Sequence, residues 1–356
     1  MNRSIWAWVR VLGGVTILAV LLWRLGTGAF LDGLRVIDAG TVGAAFAIGV
    51  ATTVLSAWRW CLVARGLGLR LSLRGAIADY YKALFINAAL PGGVLGDVDR
   101  AVQHGRDAGD VGRGVRAVVL ERTAGQIVLV TVGLTVLLTV PSPVLTQLRE
   151  HGRTVAIAAA ATAGLAVVLV VAMGRMRRGA SRWARAARTA ISEIRTGLLA
   201  RRNWPGIVLA STAVLAGHLA TFVVAARAAG SDASLLRLAP LMLLALLAMT
   251  LPLNIGGWGP REGVTAWAFG AAGLSATQGL TIAVVYGLFA FVAALPGLAV
   301  IAARALARAR TRATRPATIA TRPAAIATRP APVAIEILAA RPALALPARE
   351  LVGSSA

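Results

Sequence analysis

The chain has 356 residues, is 58% hydrophobic and only 14% charged, and carries a formal net charge of +23. With a mean hydropathy of +0.75, this composition excludes a soluble globular domain, in which about a quarter of the residues are charged. The single Cys61 and the scattered His104, His151 and His218 exclude a disulfide framework and a metal-ligand motif of the zinc type.

Taken in chain order, six apolar runs predict full membrane spans: 5–25, 41–63, 115–140, 154–174, 204–228 and 278–303. Residues 154–174 have no charge before Arg175, and that length of helix crosses a hydrocarbon core of ~30 Å. In the first run Trp6 and Trp23 lie ~26 Å apart as helix and mark two interfaces, so an uncleaved span is expected rather than a signal peptide. Arg59 lies near the inner end of the second run, between Trp58 and Trp60, where a snorkelling side chain is expected.

Two further apolar stretches, Ala76–Leu90 and Leu238–Leu253, are too short to cross and run into Pro- and Gly-rich turns. These turns read LPGGVLGD at Leu90–Asp97 and LPLNIGGWGPRE at Leu251–Glu262. The turn residues proper are Pro91, Gly92, Gly93 and Gly96 in the first, and Pro252, Gly256, Gly257 and Gly259 in the second. Arg65, Arg70 and Arg74 place the end of the second span inside, and the nine Arg of 175–202, against Glu193 alone, place the end of the fourth run at 154–174 inside. Crossing parity then makes 76–113 enter and leave from the cytoplasm, and 238–273 enter and leave from outside. The expected fold class is an all-α integral membrane protein of six full transmembrane helices plus two re-entrant broken-helix hairpins of opposite orientation, about eight helices. Paired broken segments in corresponding halves point to a substrate site near the membrane midplane.

Residues 1–303 form the expected membrane domain. Residues 304–356 hold nine Arg and repeat ATRP at Ala313, Ala320 and Ala327. Repeated Pro interrupts helix, and the composition has little with which to build a core, so a disordered cytoplasmic tail is expected. The positive charge follows apolar spans, as cytoplasmic flanks do, and no nucleic-acid module accompanies it; nucleic acid is not an expected partner. The expected location is the inner membrane of a bacterium, with the N-terminus and the tail in the cytoplasm.

Charged residues at membrane depth are costly and normally face a cavity or one another. Asp97, Asp99 and Arg100 follow the first turn, Arg261 and Glu262 follow the second, and Glu121 and Arg122 lie inside the third span. An Arg here would grip a phosphate while a carboxylate orients it. Helix N-termini after the glycine turns would add N–H donors. The alternative is a set of internal ion pairs, Glu121 with Arg100 and Glu262 with Arg261, that hold the hairpins together. Asn87 lies at the end of the first short stretch, and His218, alone in its span, is expected to hydrogen-bond a neighbouring helix. No GxxxxGK[ST], GxSxG or HExxH occurs, and no cofactor is expected.

The ordered set FINAALPGGVLGDVDR at Phe85–Arg100, Glu121-Arg122 and PLNIGGWGPRE at Pro252–Glu262 resembles the flippase-like domain family, which shares its fold with the N-terminal membrane half of lysylphosphatidylglycerol synthases. The resemblance covers residues 5–303. It implies about eight membrane helices and movement of a lipid between leaflets. As substrate-binding positions it implies Asn87, Asp97, Arg100, Glu121, Arg122, Arg261 and Glu262. No soluble aminoacyl-transfer domain follows the membrane part, so that activity is not expected, and the first turn has GVLGD where adjacent glycines would precede the Asp. The expected substrate is an anionic or aminoacylated phospholipid, or a polyprenyl-phosphate-linked lipid. Two other readings stay open. One is a glycosyl or phosphoryl transferase in which Asp97 and Asp99 hold a metal. The other is a non-catalytic partner of a separately encoded synthase.

Overall fold

The computed structural model describes residues 28–90, 93–150, 192–250 and 258–313, with positions 19, 23 and 152. Two compact units are Met1–Ala309 and Arg310–Ala356, and the description below is of the first, apart from residues 310–313 at the end of the last helix. The helices are α1 (Gly28–Arg35), α2 (Ala39–Gly66), α3 (Leu73–Ala89), α4 (Leu95–Asp107), α5 (Val111–Thr139), α6 (Pro143–Glu150), α7 (Trp204–Ala228), α8 (Leu235–Ala248), α9 (Pro260–Ala271), α10 (Ala276–Ala294) and α11 (Pro296–Ala313). No strand occurs among the described residues. Helices α2, α5 and α7, and the stretch Ala276–Arg310 through α10 and α11, are each long and apolar enough to cross a membrane. The chain is therefore a multi-pass, all-α integral membrane protein. Apart from positions 19 and 23, the expected spans at 5–25 and 154–174 lie outside the described residues, as do Pro91, Gly92, Pro252, Gly256 and Gly257.

Local chemistry sets the helix limits. Asp38 caps α2 by accepting from the backbone N–H groups of Gly40 and Thr41 at 2.7 and 3.0 Å. Ser72, Asp110 and Ser275 cap α3, α5 and α10 in the same way. Pro296 stands at the first position of α11, where its missing N–H does no harm, and the helix runs on to Ala313, past the position 303 at which the last apolar run was read to end.

Side-chain partners give the helix directions. On α2 and α5, Arg59 meets Glu121, and Ala64 and Leu67 pack with Ala117. The two helices are antiparallel, and α5 begins at the end where α2 finishes. The segment between them therefore enters and leaves at one end, as α3 and α4 folded back on each other: Asn87 meets Gly96 and Asp97, and Lys82 meets Asp99. Helix α7 is antiparallel to α2, with Leu62 beside Gly206 and Thr52 beside Gly217. Gln278, near the start of α10, donates to the carbonyls of Ala229 and Gly230 just past the end of α7. The intervening α8 and α9 thus enter and leave at the opposite end of the bundle. Arg237 on α8 reaches the carbonyl of Ala272 after α9, which closes the second hairpin. With 17, 13, 14 and 12 residues, no hairpin helix exceeds ~26 Å, short of the ~30 Å core. The two hairpins of opposite orientation read from parity are present, within a repeated order of long helix, hairpin, long helix.

Lipid tails are as apolar as leucine, so helix association inside a membrane rests on close packing and hydrogen bonds. Glycines supply the close approach. A Cβ on Gly96 would lie 2.1 Å from the carbonyl oxygen of Ala83 and 2.5 Å from its Cα. Backbone cannot yield as a side-chain tip can. Gly96→Ala is therefore expected to pry α4 from α3 at a cost of at least about 1–3 kcal/mol. The check is the thermal melt of the detergent-solubilised variant, and an unchanged melting temperature would contradict this packing. Gly93, at φ +61°, and Gly259, at φ +112°, hold left-handed backbone beside the two helix breaks, which a residue with a Cβ adopts only at a cost.

Candidate functional site

Glu121 is the hub of the first charged cluster. Its side chain is fully buried on α5 and accepts from Arg59 Nε at 3.0 Å, Arg100 Nη2 at 2.7 Å and the Tyr80 hydroxyl at 3.3 Å. These donors come from α2, α4 and α3, so one carboxylate ties four helices together. Asp97, at the start of α4, accepts from Arg100 Nε at 2.9 Å, Arg122 Nη2 at 2.8 Å and Asn87 Nδ2 at 3.3 Å. Asn87 also accepts from the N–H of Gly96 at 2.7 Å. The guanidinium of Arg100 lies between the Trp60 and Tyr80 rings, 4.7 and 4.5 Å from their centroids, an attraction that grows as water is excluded. Three guanidiniums thus face two carboxylates, Glu121 and Asp97, leaving one unit of positive charge. The Nε of Arg122 and Nη1 of Arg100 are buried donors without an acceptor among the described residues.

The second cluster is built on α9. Arg261 and Glu262 are 2% and 0% exposed and pair through Arg261 Nε and Nη2. Glu262 Oε2 also accepts from the N–H of Gly259 at 2.7 Å, the return half of a capping box. Rings of Trp258 and Tyr286 lie 5.0 and 5.2 Å from the Arg261 guanidinium.

A cavity of about 290 Å³ lies between the clusters, among α2, α3, α5, α7, α8 and α10. Arg59 and Arg122 supply its charge, and Ser211, His218, Gln126 and Tyr286 are among its polar lining. Arg59 Nη1 donates to Ser211 Oγ at 3.1 Å. His218 Nδ1 lies 3.0 Å from the Tyr286 hydroxyl, so the expected hydrogen bond from α7 to a neighbouring helix is present. Arg122 and Gln126 also line a second space, an open groove of about 570 Å³ bounded by Asp97 and by Val119, Ile127 and Val130 of α5.

Of the residues expected at a substrate site, Arg122 lines the cavity, and Asp97 with Arg122 lines the groove. Arg100 and Glu121 form the layer behind the cavity wall, and Asn87 holds the α3–α4 turn. Arg261 and Glu262 are not brought to the cavity; Arg261 touches its wall through Tyr286. Both ion pairs weighed from the sequence exist. At the two helix starts one backbone donor each is taken by a side chain: Asn87 takes the N–H of Gly96, and Glu262 takes that of Gly259. Arg59 does not snorkel. It is 4% exposed because Glu121 and Ser211 satisfy it inside the bundle. Its role was signalled by Thr52, Ser56 and Arg59, a polar i, i+4, i+7 stripe on an apolar span. Tyr80, Ser211 and Tyr286 carried no comparable signal.

Asp97 and Asp99 are occupied by cations, Asp97 by Arg100 and Arg122 and Asp99 by Lys82 at 2.6 Å. Such carboxylates are poor candidates for a divalent metal. Among the described residues, no three His, Cys, Asp or Glu side chains gather into a metal-binding group. The sequence model of the family described as "Lysylphosphatidylglycerol synthase TM region" matches residues 8–297. No curated protein and no solved structure matches the chain.

Proposed function

The chain belongs to the lysylphosphatidylglycerol synthase TM-region family, which gives it a role connected with membrane lipids, and from that premise we propose that it moves a phosphate-bearing lipid between leaflets. One observation carries the reading. Arg122 and Gln126 line both the polar cavity and the apolar groove along α5. A lipid held there has its phosphate on a guanidinium and its hydrocarbon on the groove. Arg122 suits the task, because one of its nitrogens is tied to Asp97 at 2.8 Å while its side chain stays 41% exposed. A phosphate oxygen there also balances the surplus positive charge of the first cluster. The two hairpins, opening at opposite ends, place broken helix on either side of the cavity, as alternate exposure to the two leaflets requires.

The end of the bundle at which α2 finishes carries Arg65, Arg70, Arg74, Arg201 and Arg202, and Thr196 and Gly197 approach Gly66 there. By the positive-inside rule we place that end at the cytoplasmic face of a bacterial inner membrane.

The test is leaflet exchange in proteoliposomes, read by dithionite quenching of a fluorescent phospholipid. The protein is expected to accelerate exchange over empty vesicles. Arg122→Gln is expected to slow it by about 10- to 100-fold, as loss of a charged hydrogen bond implies. No acceleration by the native protein would refute the reading.

A further inference from the structure

Resting on that reading, we infer that the head group it takes is a phosphate ester of a small uncharged polyol, glycerol- to monosaccharide-sized, and not an ammonium-bearing or aminoacylated head. The lining of the cavity carries the inference. Its only charged side chains among the described residues are Arg59 and Arg122. The carboxylates that neutralise them stand outside it: Glu121 has no exposure, and Asp97 faces the groove. An ammonium group would meet two guanidiniums and no carboxylate, which like-charge repulsion at low dielectric disfavours.

The rest of the polar wall is made of neutral groups arranged to take hydroxyls. Thr52 donates to the carbonyl of Gly49 at 3.0 Å, which directs its proton into the helix and leaves oxygen lone pairs as acceptors. Thr250 does the same toward Leu247 at 2.7 Å. Ser211 accepts from Arg59, so its own proton is available to donate. Acceptors and donors interleaved around two cations suit an alcohol chain attached to a phosphate. At about 290 Å³ the cavity is at the lower limit of small-molecule pockets, ~300–1,000 Å³, and has no room for an oligosaccharide.

The test uses the full-length protein in detergent and native mass spectrometry of bound dioleoyl lipids. The lipids are phosphatidylglycerol, phosphatidic acid, phosphatidylethanolamine and aminoacylated phosphatidylglycerol. Phosphatidylglycerol is expected to bind about fivefold more tightly than phosphatidic acid, the worth of about one neutral hydrogen bond, and both ammonium-bearing lipids more weakly than either. Thr52→Val with Ser56→Ala is expected to erase the advantage of phosphatidylglycerol while phosphatidic acid stays bound. Arg122→Gln is expected to weaken both.

Equal binding of phosphatidylglycerol and phosphatidic acid by the native protein, or tightest binding of the aminoacylated lipid, overturns the head-group assignment and leaves the phosphate-lipid reading standing. Binding indifferent to Arg122→Gln overturns that reading itself. Displacement of the lipids by soluble glycerol 3-phosphate at equal concentration shows that the occupant is not a lipid and overturns both. The native ordering decides the question even for a variant that does not fold.

Discussion

Glu121→Ala is expected to lower the apparent melting temperature of the solubilised protein by on the order of 10 °C. The residue has no solvent exposure and accepts from Arg59, Arg100 and Tyr80. Removing it strands two guanidiniums that are 4% and 1% exposed. Deleting one partner of a buried ion pair costs about 3–5 kcal/mol, because the remaining charge has no water to return to. A degree of melting shift is worth less free energy in a small domain than in a chain of this size, which sets the scale of the drop. Membrane proteins of this kind unfold irreversibly, so the comparison is made at one heating rate. Glu121→Asp keeps the charge but shortens the reach, and an intermediate loss is expected. A Glu121→Ala protein that melts within two or three degrees of the native one, at the same scan rate, would show that the hub does not hold the four helices.

The second large effect is expected at Glu262, where two contributions separate. Its carboxylate neutralises Arg261 and also caps α9 through the N–H of Gly259. Glu262→Gln keeps an acceptor for the cap but leaves Arg261 charged, 2% exposed and pressed between Trp258 and Tyr286. A loss of about 3 kcal/mol or more is expected from the single variant. Adding Arg261→Met removes the stranded charge and keeps most of the volume, so the double variant is expected to recover much of that loss. The non-additivity is the signature of the pair. A double variant no more stable than Glu262→Gln alone would mean that the cap, or something other than Arg261, carries the effect. In the leaflet-exchange measurement the double variant also asks whether α9 touches substrate, since Arg261 and Glu262 are sealed from the cavity by Tyr286.

Much of the architecture was legible in residue order. Hydrophobic run length distinguishes spans from short hairpin arms, because the hydrocarbon thickness is a fixed ruler. Arg placement gave the parity that requires both hairpins, and the packing of Arg59 with Glu121 and of Gln278 with Ala229 agrees with it. The charged residues beside the two turns stood out because charge at membrane depth is rare and needs a partner. The roles of those residues were less legible. Arg261 and Glu262 are adjacent in sequence and close on each other. Arg122 is adjacent to Glu121 yet turns the other way, to Asp97 and the cavity.

By itself the sequence determined that this is a multi-pass helical membrane protein with two broken-helix hairpins and a few intramembrane charges set beside them. Composition and periodicity act through local transfer free energies, and those are properties of single segments. Only the tertiary structure decided which charges face each other and which face open space. Arg59 left the membrane interface for the interior because Glu121, 62 residues away, and Ser211, 152 residues away, satisfy it there. No local rule contains that pairing, since the low dielectric that makes the contact worthwhile exists only after α2, α4, α5 and α7 have packed around it.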